Sequence, residues 1–213
     1  MNYREFVYSA EALNFIKTAN EVCVWAEEIR LMGKRVAVEQ GMRLLSLLYS
    51  GMISLPDNEA VFEEGNEKYV TEKDWSDIFR NVSVVLGSHN EYPDFAADTE
   101  YDRSEIVTRK VSEDIADIYQ EIKDCTINFR TGTEEVMNDA LWECRSAFEN
   151  HWGEKTLRAA MQLHRVFYSV SLTDFENDET GNMDVNNKQI NTNNWFLSRR
   201  QKEFRDDNYE LPE

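Results

Sequence analysis

The chain has 213 residues, of which 41% are hydrophobic and 30% charged, enough apolar material for a folded core. Lys and Arg number 23 against 41 Asp and Glu, a formal net charge of −18. That balance argues against direct binding to duplex nucleic acid or to an anionic membrane, because both need a basic face that displaces counterions. Three prolines and eight glycines are too few for a sandwich of many short strands.

The opening, MNYREFVYSAEALNF, lacks the apolar core of a signal peptide. The most apolar stretch, Leu44 to Leu55, is twelve residues long, well short of the roughly 20 that span a bilayer. A cytoplasmic protein without a membrane partner is expected. Cys23, Cys125 and Cys144 form no CxxC or zinc-type spacing and each falls in a helical apolar pattern, so reduced core cysteines are expected.

The first element reads from Ala10 to about Leu31. Ala12, Phe15, Ala19, Val22, Ala26 and Ile29 recur at alternating steps of three and four, a narrow seam on one helix face. Gly33 is expected to close this helix in a left-handed conformation. A second helix, from about Lys34 to Leu55, carries the seam Val38, Met42, Leu45, Tyr49 and Met52 and stops at Pro56, so the two form an antiparallel hairpin. Residues 57–70 read as an acidic loop. Thr71 and Asp74 resemble a capping box that opens a helix with Trp75, Ile78, Phe79, Val82, Val85 and Leu86 inward, ending near Gly87.

Residues 88–103 read as a loop, and a long helix is expected from Ser104 towards Arg130, with Val107, Val111, Ile115, Ile118, Ile122, Cys125 and Phe129 inward. Thr133 then caps a helix striped by Met137, Ala140, Leu141, Cys144, Phe148 and Trp152. A break or kink at Gly153 leads into a stripe of Leu157, Ala160, Met161, His164, Phe167 and Tyr168. No segment alternates with period two. The expectation is an all-α bundle of five or six helices over residues 1–171, a flexible Asn-rich linker over 172–194, and a short basic, aromatic tail over 195–213.

Charge is segregated. Residues 57–77 carry eight acids and two bases, and residues 91–124 eleven acids and four bases. Residues 195–205, WFLSRRQKEFR, carry four bases and one acid. An acidic face and a tethered basic segment bearing Trp195, Phe196, Arg199 and Arg200 could therefore meet, within one chain or between two copies.

There is no phosphate-binding Gly-rich loop, no nucleophile elbow, no HExxH and no Glu-x-x-His pair. Two carboxylate sets remain: Asp114, Asp117, Glu121 and Asp124 on one face of the fourth helix, and Glu135, Asp139 and Glu143 at every fourth position of the fifth. Carboxylates on facing helices can hold Mg²⁺ or Mn²⁺, as in all-α nucleotide pyrophosphohydrolases, but the paired ExxE and ExxD words of that class are missing. Of the histidines, His164 and His151 are expected in or near the core, and His89 lies in a loop.

The words IADIYQEIKD (Ile115 to Asp124) and MNDALWECRSAFENHWGEKTLRAAMQLH (Met137 to His164), with YVTEKDW and the first long helix, resemble a bacterial family known as domain of unknown function 5063, found chiefly in Bacteroidetes. The resemblance covers most of residues 10–170 and implies a compact cytoplasmic protein with no assigned activity, cofactor or catalytic residue. Asp117, Tyr119, Asp124, Asn138, Glu143, Trp152 and Gly153 stand out in those words, as interhelix hydrogen-bonding positions or as a site.

The favoured reading is a non-enzymatic protein–protein interaction module with an acidic face, needing no cofactor and capable of self-association through its tail. The alternative is a metal-dependent hydrolase that uses Mg²⁺ or Mn²⁺ on the two carboxylate sets. An acidic decoy that imitates DNA phosphates ranks third.

Overall fold

The computed structural model describes residues 2–98 and 103–169. Among these the chain is a helical bundle with one small antiparallel hairpin. A five-residue α1 (Tyr3–Val7) precedes α2 (Ala10–Glu28), α3 (Lys34–Ile53), α4 (Glu72–Leu86), α5 (Val111–Thr131), α6 (Glu134–Ala147) and α7 (Gly153–Ser169). The expected linker 172–194 and tail 195–213 lie outside the described residues.

The seam on α2 is as read: Ala12, Phe15, Ala19, Val22, Ala26 and Ile29 are all buried. Their period of about 3.5 residues keeps one helix face on the core, and the alanines let α3 come close. On α3, Val38, Leu45 and Met52 are buried but Met42 and Tyr49 are only half-buried, because Ala37, Leu44 and Leu48 widen the buried stripe to one side. Packing leaves no room at Gly41, where an added Cβ would stand 2.3 Å from the Trp25 ring and 2.9 Å from Leu163 of α7. Trp25 is anchored there by its indole N–H, which donates to the carbonyl of Ala37 at 3.0 Å. Gly33 does not take a left-handed conformation. Its φ of −61° and ψ of 144° make it the N-cap of α3, and a short 3₁₀ turn, Ile29–Leu31, ends the preceding helix instead.

Two further expectations are corrected. The long helix does not begin at Ser104: β1 (Glu91–Asp98) and β2 (Arg103–Lys110) form a hairpin, and α5 starts at Val111. The register sets Tyr92 against Arg109 and Phe95 against Ile106. Ile106, Val107 and Thr108 are β-branched and suit a pleated strand better than a first helical turn. Val107 faces half inward, while Phe95 and Ile106 are 72% and 71% exposed on the outer face. Asn90 fixes the base of the hairpin: its backbone carbonyl accepts from Val111 N–H and its side-chain oxygen from Ser112 N–H, both at 2.9 Å.

The second correction concerns α7. A π-helical turn, Phe148–Trp152, joins it to α6. An extra residue per turn rotates everything after it by roughly 100°. Counted on from the buried Trp152 at steps of four and three, the inward positions are Thr156, Ala159, Leu163 and Val166, each one residue before the expected Leu157, Ala160, His164 and Phe167. Leu157, Met161, His164 and Tyr168 face outward. Gly153 is required at this join, since a Cβ would lie 2.6 Å from the Phe148 carbonyl oxygen.

The three cysteines are free and buried, and burial pushes the thiols of Cys23 and Cys144 well above their ordinary range. Native protein should therefore resist iodoacetamide at mildly alkaline pH and take up three labels only after unfolding, as counted by mass. Replacing the buried Ala19 by Leu should overpack the α2 seam and cost about 1–3 kcal/mol in urea unfolding; an unchanged midpoint would contradict the packing described.

Candidate functional site

The acidic segment between α3 and α4 is held at almost every step by side chains of α5 and α6. At its start the Arg145 guanidinium donates to the carbonyls of Leu55 and Pro56, both at 2.7 Å, and to Asp57 at 2.8 Å. Asn138 donates to the Glu59 carbonyl at 2.7 Å and in turn accepts from Asn58. Asp139 accepts the backbone N–H groups of Val61 and Phe62 at 2.7 and 2.8 Å, one on each carboxylate oxygen. Glu143 accepts that of Asn66 at 2.6 Å. Asp124 accepts those of Tyr69 and Val70 at 2.8 and 2.9 Å, and Asn128 donates to the Glu67 carbonyl at 2.9 Å.

A loop has no ladder of its own, so its buried-side amides need outside partners. Five of them find carboxylates here, the stronger, charge-assisted kind of acceptor. The acids of the loop itself are left facing water. Glu63, Glu64 and Glu67 are exposed, with Phe62 and Tyr69 half exposed beside them. These five residues, with Asn128, Gly132 and Val136 as floor, border an open concavity of about 760 Å³.

The rest of the carboxylate ladder on α5 faces α7. Asp114 is buried, accepts the Tyr92 hydroxyl at 2.5 Å and lies 3.5 Å from Arg158. Burial raises its carboxyl above the ordinary range, an effect that these two partners oppose. Asp117 accepts the Trp75 indole N–H at 2.7 Å and is paired with Lys155. His151 lies 2.9 Å from the Lys155 nitrogen and 3.8 Å from Glu121. It is about half exposed and belongs to this polar row, while His164 is on the outer face of α7 with its ring against Tyr168. Neither histidine is in the core, contrary to the expectation: the inward positions on either side of them are Trp152, Leu163 and Val166.

The seven candidate metal ligands are thus split by place and partner. Asp114, Asp117 and Glu121 meet Arg158, Lys155 and His151; Asp124, Asp139 and Glu143 hold the loop; Glu135 accepts the Tyr3 hydroxyl at 2.9 Å. Among the described residues no three His, Cys, Asp or Glu side chains are grouped to hold a metal ion. Trp195, Phe196, Arg199 and Arg200 lie outside the described residues. The words resembling the family singled out Asp124, Asn138 and Glu143 as interhelix hydrogen-bonding positions or a site, and they bond the loop instead; Asn58, Asn128 and Arg145 gave no signal in the sequence.

The fold and this face define a helical bundle that carries a surface loop pinned from beneath. The chain belongs to the family described as domain of unknown function DUF5063, whose model matches residues 6–169. It is similar to the crystal structure of protein BF1032 from Bacteroides fragilis, a structural-genomics target, at 31% identity and a TM-score of 0.69 over 78% of this chain and 98% of that one. No curated protein matches the chain. Among the described residues no helix is long and apolar enough to cross a membrane.

Replacing Asp124 with Ala strands the Tyr69 and Val70 amides. It should cost about 2–4 kcal/mol by the loss of two charge-assisted hydrogen bonds, and let trypsin cut native protein after Lys68, read by mass. Native resistance at Lys68 in the variant would contradict the pinning.

Proposed function

We propose that this protein is a non-enzymatic interaction module whose acidic concavity receives a basic, aromatic peptide segment of a protein partner. One observation carries the reading. The carboxylates best placed for chemistry, Asp124, Asp139 and Glu143, are engaged with loop amides, and that engagement displays Glu63, Glu64 and Glu67 to solvent around Phe62 and Tyr69. Glutamates supply attraction and orientation for Lys or Arg, and the two rings supply apolar and cation–π contact.

The Mg²⁺ or Mn²⁺ hydrolase is the second reading. It requires Asp117 to give up Trp75 and Lys155, and it requires acids that now face α7 to join acids that now face the loop. Melting the full chain in EDTA and then in excess Mg²⁺ or Mn²⁺ separates the two. An ion at about 100 times its dissociation constant would stabilise by roughly 2.7 kcal/mol; no shift is expected, and a rise lost in Asp117→Asn would favour the hydrolase.

For the peptide itself, residues 195–205 have the same chemistry as the ligand sought, so the titration uses the full chain carrying Arg199→Glu and Arg200→Glu. A basic peptide with two aromatic residues should bind it in low salt. Affinity should fall about tenfold, or roughly 1.4 kcal/mol, when Glu63, Glu64 and Glu67 are all changed to Gln. Binding indifferent to those three changes would overturn the proposal.

A further inference from the structure

We infer that the concavity is occupied by the chain's own residues 195–205, docked in cis, so that a partner must displace them; this rests on the reading of the concavity as a peptide-binding surface. The first ground is charge. Residues 195–205 carry four bases and one acid, while the remaining 202 residues carry 19 bases and 40 acids. No other stretch of the chain combines a cluster of bases with Trp195, Phe196, Leu197 and Phe204. Those side chains are the counterparts of Glu63, Glu64 and Glu67 with Phe62, Tyr69 and Val136 at the concavity.

The second ground is reach. Asp114 pairs with Arg158 and Asp117 with Lys155, so α5 and α7 run antiparallel. Ser169 is therefore at the end of the pair opposite Asn128, and at 1.5 Å per helical residue the two are separated by about 40 Å along the bundle. The 25 residues 170–194 can span at most about 80–90 Å, about twice that distance.

The third ground is the rival surface. The outward stripe of α7, Leu157, Met161 and Tyr168, is also apolar. The one acid of that helix, Glu154, is already paired with Arg158, so a basic segment gains little there.

Zero-length carbodiimide coupling of the full chain tests the placement. A cross-link within one chain should join Lys202 to Glu63, Glu64 or Glu67, and it should fall several-fold in Arg199→Glu/Arg200→Glu and in about 0.5 M salt, where surface attraction is screened. Cross-links found only between two chains, or joining Lys202 evenly to acids elsewhere, would overturn docking in cis. A synthetic peptide of residues 195–205 is then titrated into both proteins and should bind the double variant about tenfold more tightly than the wild type. Equal, measurable binding to both would overturn self-occupancy and leave the interaction surface standing. Binding to neither would overturn both.

Discussion

The structure around the acidic loop depends on carboxylates accepting backbone amides. Residues 54–71 contain no helix or strand, yet they cover the C-terminal part of α5 and most of α6. A buried amide without a partner costs about 1–3 kcal/mol, so an unanchored chain would not remain on that surface. Asp124, Asp139 and Glu143 satisfy five amides, and Arg145, Asn138 and Asn128 donate to four carbonyls of the same segment, those of Leu55, Pro56, Glu59 and Glu67. Anions thus hold an anionic segment, because what they bind is its backbone. Its side-chain charges then have nowhere to go but outward.

The same face of α5 solves a different problem nearer its N-terminal end. Asp114 and Asp117 are drawn into the α5–α7 boundary, where Arg158 and Lys155 balance them and Tyr92 and Trp75 complete their hydrogen bonds. Tyr92 comes from the hairpin and Trp75 from α4, so this row also fixes how those elements sit on the bundle. One helix face therefore supports two layers, the ion-paired row towards α7 and the loop towards α6. The carboxylate periodicity that looks like a metal ladder is the sum of these two structural duties.

The helical seams were legible because periodicity records which face is buried, as Ala12 to Ile29 on α2 and Val111 to Phe129 on α5 show. What escaped the sequence involves either a change of phase or a partner far along the chain. Beyond the π turn at Phe148–Trp152 the α7 stripe stands one residue before the expected one, and no periodic pattern starting at Gly153 announces that shift. The hairpin was hidden because its inward positions include Asp94 and Arg109, which pair with each other at 2.6 Å and break any apolar alternation. The loop anchors act across 54 to 90 positions, so local spacing held no trace of them. The site was visible only as an acidic loop, and its shape comes from those distant bonds.

Native-state hydrogen exchange across residues 57–70 tests the pinning most directly. The amides of Val61, Phe62, Asn66, Tyr69 and Val70 should be protected far above the exposed Glu63 and Glu64, and should approach the protection of α5 and α6 themselves. Uniformly fast exchange through the segment would contradict the account, since Glu63, Glu64 and Glu67 would then have no fixed frame around a concavity.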